Sequence, residues 1–306
     1  MTEGSVRQCF NSRAGGAPLT VSNWLFAIIL GLVQGVSEWL PVSSKTQIIL
    51  VSQNLLGLNF QQAYTFGLFL EIGTALAAIV YFRKEVWMLI RALVGKGNQQ
   101  EWELFKFTLV ATVATGLVAV PIYVSLDNVS GGYNIGLPMM ILGVVLFIDA
   151  GVIMYSRSRY ADDKNRRALD HLGVKEYVII GVAQGLAALP GVSRSGTTTS
   201  TMLLLNVEAK EAFRLSFIIG ILASAAASAV TLVFSRQNVA VGVSDLGTAG
   251  ILISIGVAFV VSLLLIDSLL KVARKAKIVY LIVALGAIAI AGGLVISFFP
   301  LGFNAG

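Results

Sequence analysis

Gly31-Leu-Val-Gln-Gly-Val-Ser-Glu-Trp-Leu-Pro-Val-Ser-Ser44 returns about 150 residues later as Gly181-Val-Ala-Gln-Gly-Leu-Ala-Ala-Leu-Pro-Gly-Val-Ser-Arg194. Each copy begins as an apolar helix, carries a glutamine one turn in, breaks at proline and continues through serine. A broken helix at membrane depth is tolerated only where protein surrounds it. The two copies therefore predict a pair of re-entrant helical hairpins, 24–40 with 46–58 and 177–190 with 196–206, whose tips build a polar site.

Outward from these segments the chain is oily. Of its 306 residues 56% are hydrophobic and 12% are charged, and the mean hydropathy is +0.83. Such a composition belongs to a polytopic membrane protein. Apolar stretches long enough to cross about 30 Å of hydrocarbon are expected at 62–82, 104–126, 137–156, 212–234, 246–267 and 278–299. The expected fold is thus all-α, with six transmembrane helices and two re-entrant hairpins. Residues 1–22 read as a flexible N-terminal tail, and 23–300 as one membrane domain.

The connections fix an orientation. Those at 83–102, 157–176 and 268–277 carry several Lys and Arg each, whereas 127–136 carries none and 235–245 only Arg236. Basic and non-basic loops alternate, as the positive-inside rule requires of a chain that crosses repeatedly. Each half, about 23–157 and 176–300, then holds one hairpin and three spans. An odd number of crossings makes the halves opposite in orientation, which is an inverted-topology repeat. The first hairpin enters from the outer face of a plasma membrane and the second from the cytoplasmic face.

These features also exclude. The net charge of +6 is accounted for by the basic loops and does not indicate nucleic acid. A lone Cys9 forms no internal disulfide, and a lone His171 in a charged loop makes zinc sites and histidine catalysis improbable.

The polar residues of the hairpins suggest the chemistry. Gln34 and Glu38 stand four apart and share one helix face before Pro41. A carboxylate at membrane depth is a functional candidate, with pairing to a basic residue as the alternative. Arg194 is suited to fork onto phosphate oxygens, or else to pair with Glu38 or Glu71. Ser193, Ser195 and Thr197 add neutral donors, and a helix starting near Gly196 would present free backbone N–H groups. Ser43 and Ser44 occupy the matching place in the first hairpin, as substrate contacts or helix caps. Glu71 interrupts an apolar span and is expected to face the interior, while Asp149 and Asp267 read as structural. The small-residue segment Gly220 to Ala229 would allow close helix packing within a monomer or between two copies of a homodimer.

The hairpin motifs resemble those of the undecaprenyl-diphosphate phosphatase family, also known for bacitracin resistance. The likeness rests on Pro190-Gly-Val-Ser-Arg-Ser-Gly196 after Gln184-Gly185 and on Glu38-Trp-Leu-Pro-Val-Ser-Ser44, and runs from about residue 22 to 300. It implies hydrolysis of an isoprenoid diphosphate to the monophosphate lipid carrier, with a divalent cation such as Mg²⁺ or Ca²⁺. By position it implies Glu38, Ser44 and Arg194 as catalytic residues. Glu38 is also the implied metal ligand, and Gln34, Ser43, Gln47, Gln184, Ser193, Ser195, Gly196 and Thr197 surround the substrate. The family commonly reads Ser-Ser-Thr-Gly-His where this chain has Ser43-Ser44-Lys45-Thr46-Gln47, so Gln47 stands in place of a histidine. Glutamine does not exchange a proton near neutral pH. A serine nucleophile and direct attack by water are both open at this point. A lipid flippase or transporter is the second reading, because such folds are also built from inverted repeats with broken helices.

Overall fold

A helix satisfies its own backbone hydrogen bonds, so an apolar run in lipid becomes one. The computed structural model describes residues 21–127, 136–162, 166–273 and 278–298. Among them are eleven α-helices and no strand beyond an isolated bridge between Arg167 and Val207. The first hairpin is α1 (Val21–Ser37) and α2 (Ser44–Leu56), followed by α3 (Phe60–Tyr81), α4 (Arg83–Leu93), α5 (Gln99–Asp127) and α6 (Gly136–Asp162). The second hairpin is α7 (Val174–Leu186) and α8 (Arg194–Leu204), followed by α9 (Ala209–Phe234), α10 (Arg236–Ala273) and α11 (Ile278–Phe298).

Five of these, α3, α5, α6, α9 and α10, are long and apolar enough to cross a membrane. The chain is a polytopic helical membrane protein. The sixth expected span corresponds to α11, whose described apolar stretch is the shorter Val279–Val295. The expected tail lies outside the described residues up to residue 20, as does Cys9.

Two elements differ from expectation. The connection 83–102 contains α4, a short helix whose apolar side packs inward at Val86, Met88, Leu89 and Ala92. Its polar side bears Arg83, Lys84, Glu85 and Arg91, which conceals the helix from a search for apolar spans. Helix α10 starts upstream of the expected 246–267 and is broken at Gly247, where φ is 72° and ψ 159°. That backbone state is favoured by glycine.

Small residues determine how the hairpins seat. Helix α1 lies along α10, and α7 lies along α5. A Cβ on Gly31 would stand 2.6 Å from the Ser254 carbonyl, and one on Gly35 3.0 Å from that of Ala258. On α7, a Cβ on Gly181 would stand 2.4 Å from the Ala111 carbonyl, and one on Gly185 2.6 Å from Val118 Cβ. Glycines four apart let backbones approach in the manner common to membrane helices. Hydroxyls fasten both contacts, Ser262 Oγ donating to the Gly35 carbonyl at 3.1 Å and Thr115 Oγ1 to that of Gly181 at 3.0 Å. Between these pairs α3 packs on α9, while α6 packs on α11 and α8.

Candidate active site

The two tips turn by different means. Ser43, before the first turn of α2, has φ 51°, a left-handed conformation uncommon for a residue with a Cβ. In the second tip Gly191 takes the positive φ, at 98°. These turns place Ser44 and Arg194 as the first residues of α2 and α8. Glu38 follows the last turn of α1, its N–H still bonded to the Gln34 carbonyl at 3.2 Å.

Four of the residues singled out from sequence meet directly. Arg194 Nη2 is paired with Glu38 Oε1. Ser44 Oγ donates to Glu38 Oε2 at 2.6 Å, and Gln34 Nε2 donates to the same oxygen at 3.0 Å. The other arm of Arg194, Nη1, reaches Ser224 Oγ at 2.5 Å, the Gly220 carbonyl at 3.1 Å and Glu71 Oε2 at 3.4 Å. Ser224 Oγ donates to Glu71 Oε2 at 2.8 Å, and Lys45 Nζ lies 3.8 Å from Glu71 Oε1. Two carboxylates and two bases thus form a neutral buried cluster. Buried charges persist when paired and hydrogen-bonded in this way. Arg194 is therefore a partner of both Glu38 and Glu71.

The remaining candidates lie around the cluster. Ser193 caps α8, its Oγ accepting the Gly196 N–H at 3.2 Å, so that N–H is already satisfied within the tip. Thr197 Oγ1 donates to the Ser193 carbonyl at 2.8 Å, and Asp149 accepts the Ser193 N–H at 3.2 Å. Ser195 Oγ donates across to the Leu40 carbonyl at 3.3 Å, joining the two tips. Ser43 Oγ accepts from Thr46 Oγ1 at 3.0 Å. Gln47 turns toward its own tip, Nε2 to the Val42 carbonyl at 3.4 Å, and forms no hydrogen bond to Glu38. Gln184, the counterpart of Gln34, bonds Thr115 Oγ1 at 3.0 Å and leaves its carbonyl oxygen without a protein partner.

The cluster closes one end of a cavity of about 120 Å³ between α3, α5, α7 and α9. Lys45, Glu71 and Arg194 form the charged end, and alanines with Val120 and Val230 form an apolar wall toward Tyr64 and Tyr123. Glu38 lies on the far side of Arg194, beside a space of only about 10 Å³ bordered by Trp39 and Phe217. An apolar slot ending in paired guanidinium and ammonium groups suits a lipid with an anionic head.

For a hard divalent cation the site offers oxygen donors: the Glu38 and Glu71 carboxylates and Gln34 Oε1, a buried oxygen without a protein partner. That donor type fits Mg²⁺ or Ca²⁺. Among the described residues no three His, Cys, Asp or Glu converge, so such an ion would take part of its coordination from a phosphate.

The family described as bacitracin resistance protein BacA matches residues 27–291. The chain belongs to this family. The match covers both tips and every member of the cluster. Among BacA-like relatives, the undecaprenyl-diphosphatase of Saccharolobus solfataricus is 50% identical over 271 residues, covering 88% of this chain and 95% of that protein. That of Sulfurisphaera tokodaii is 42% identical over 269 residues, covering 88% of this chain and 96% of its own. That of Pyrobaculum aerophilum is 38% identical with the same coverage of each chain.

Ser224, Thr74 and the Gly220 carbonyl were not foreseen as parts of this BacA site. Ser224 sits in the small-residue stretch of α9, where a hydroxyl among alanines gives only a weak signal. Thr74 follows Glu71 by one turn, which is the available clue; it receives the second contact of Gln34 Nε2, at 3.5 Å.

Proposed function

We propose that the chain is a membrane phosphatase that hydrolyses a polyprenyl diphosphate of the undecaprenyl type to its monophosphate. The observation that carries this reading is the neutral Glu38–Arg194–Glu71–Lys45 cluster at the closed end of an apolar cavity. The names of the relatives supply the substrate class. The head-proximal end of the lipid chain enters the alanine-lined slot, and the diphosphate meets Arg194 and Lys45. Arg194 exchanges Glu38 for phosphate oxygens, which releases Glu38 toward Ser44.

Ser44 is then the nucleophile, since its hydroxyl already donates to Glu38 at 2.6 Å, the arrangement of an activated hydroxyl and its base. Its Oγ attacks the terminal phosphorus while its proton passes to Glu38. The bridging P–O bond breaks, the lipid monophosphate leaves, and water hydrolyses the phosphoserine to return free Ser44. Arg194 bears on the equatorial oxygens, where charge spreads during transfer. A divalent cation held by Glu38 and Gln34 Oε1 would supply further positive charge. The cluster is already neutral, and a diphosphate adds negative charge that two paired bases do not offset.

The inverted repeat of about 23–157 and 176–300 is supported by the exchanged packing of the hairpins, α1 on α10 and α7 on α5. The cavity leads away from the Lys- and Arg-rich connections toward Tyr64, Tyr123 and Val230, which favours a site opening to the outer side of a plasma membrane. The narrow space beyond Arg194, with Trp39 and Phe217 at its border, favours a one-sided hydrolytic site over a transport path.

The test is phosphate release from undecaprenyl diphosphate by purified protein in detergent with Mg²⁺ or Ca²⁺, beside Arg194→Ala and Ser44→Ala. Release by the parent protein, lost in both variants, with phosphoserine trapped at Ser44 by acid quench, is the expected result. No release from the parent protein in detergent, where sidedness is absent, would favour lipid transport.

A further inference from the structure

Phosphate-binding equipment also occurs at the other end of the bundle, in a cavity of about 420 Å³ where α4 leaves α3 and α9 begins. Four bases line it, Arg83, Lys84, Lys210 and Arg214, against two acids, Glu85 and Glu211. One base takes both acids. Arg214 Nε bonds Glu85 Oε1 at 3.2 Å, and its Nη1 bonds the two Glu211 oxygens at 3.0 and 3.1 Å. Arg83 Nη1 donates to the Val80 carbonyl at 3.4 Å, and among the described residues Arg83 forms no ion pair. Lys84 and Lys210 are exposed, and among the described residues neither forms an ion pair. The lining thus keeps a surplus of two positive charges, four bases less two acids.

Beneath this rim Phe82 and Phe213, both buried, form an apolar floor. The neighbouring face of α4 exposes Trp87, Ile90 and Leu93 at 60%, 43% and 69%. A short helix with exposed aromatic and aliphatic groups beside a charged face lies in the plane of the headgroups. The cavity therefore opens at headgroup level, on the side where the basic connections gather. None of its polar side chains belongs to the cluster around Arg194.

We infer that this cavity is a second phosphate site, distinct from the hydrolytic one, which holds the phosphate of an anionic lipid headgroup or a free phosphate ion between Lys84, Lys210 and Arg83. Cationic side chains at a bilayer surface favour anionic headgroups by a few-fold each, and the aromatic floor accommodates the adjoining glycerol or acyl carbons.

The experiment uses the full chain in nanodiscs containing photoactivatable phosphatidic acid, or the corresponding phosphatidylcholine, whose phosphate is balanced by choline. Labelled peptides are identified by mass spectrometry. Phosphatidic acid is expected to label 81–85 and 210–214 in preference to phosphatidylcholine. In Lys84→Gln/Lys210→Gln the concentration for half-maximal labelling should rise about thirtyfold, the effect of removing two charges. Phosphate release in detergent should be unchanged in that variant, which also shows that it folds. If inorganic phosphate competes with labelling, a free ion fills the site; if it does not, the site requires the lipid, and both results uphold phosphate recognition. Equal labelling by the two lipids, or labelling of the double variant like the parent, overturns the inference.

Discussion

Arg194→Ala has a stability consequence that can be separated from catalysis. In the intact cluster Glu38 and Glu71 are balanced by Arg194 and Lys45, with side-chain exposures of 7%, 3%, 17% and 7%. Removing the guanidinium leaves two buried carboxylates facing one ammonium, a net charge of −1, and strips Ser224 Oγ and the Gly220 carbonyl of a donor. Breaking a buried pair from one side costs about 3–5 kcal/mol. In Glu38→Gln/Arg194→Met the unpaired charge is gone, because Glu71 and Lys45 still cancel, and the amide retains a hydrogen-bonding oxygen for Ser44. The double variant should therefore recover most of what the single one loses. Equilibrium unfolding in mixed micelles of rising SDS fraction, followed by circular dichroism, measures both. A loss below about 1 kcal/mol for Arg194→Ala, the value of an exposed pair, would refute the buried cluster. So would a double variant as unstable as the single one.

Gly181→Leu forces a side chain into the Ala111 carbonyl and Ala114, at 2.4 and 2.7 Å from the Cβ position, and should lower stability by about 1–3 kcal/mol in the same assay. Gly151→Ala, with nothing within 4 Å, should be neutral or stabilising by up to about 1 kcal/mol. Gln47→His should leave phosphate release within a few-fold of the parent, since the Gln47 side chain donates to the Val42 carbonyl of its own tip and forms no hydrogen bond to the described members of the cluster; a gain of a hundredfold would assign that position to catalysis. The Glu176 carboxyl at the rim of α7 is held below its usual pKa by its own N–H, that of Gly173 and Arg167. Its stabilising effect is full above the unfolded pKa of about 4.3 and lost as pH falls through the lower folded value. Melting curves of the parent and Glu176→Gln should therefore converge in acid, and a gap that widens there would contradict the assignment.

The hairpins were legible because polar residues and prolines interrupt apolar sequence at two matched places, and only a protein-lined tip accommodates such a break at membrane depth. Gln34, Glu38 and Ser44 could be grouped from spacing alone, since one turn of helix and one short tip connect them. The partnership of Arg194 with Glu71 stayed one alternative among others in the sequence, because 123 residues separate them and the contact depends on how the start of α8 is brought beside α3. The cavity was equally hidden: much of its wall is alanine from α5, α9 and the tip after α7, a residue type that announces no chemistry. Helix α4 escaped notice because its charges divide its apolar positions, and their common face emerges only once the backbone is helical. For Gln47, the departure from the family pattern was plain, but its turn toward Val42 rather than Glu38 required the three-dimensional tip.

Ser44 and Arg194 hold the same station in the two hairpins, each opening the second helix directly after a serine. One placement thus presents a hydroxyl from one side and a cation from the other, while the position that matches Glu38 in the second copy is Ala188, whose carbonyl receives Tyr64 Oη at 2.6 Å. The two similar motifs thus carry unlike side chains at matched positions. Under the proposed mechanism function is therefore directional: exchanging the residues at 44 and 194 would turn the hydroxyl and the cation end for end, and Glu38 would then stand beside the wrong partner. The two copies of the motif share a frame, and they differ at the positions whose side chains meet in the cluster.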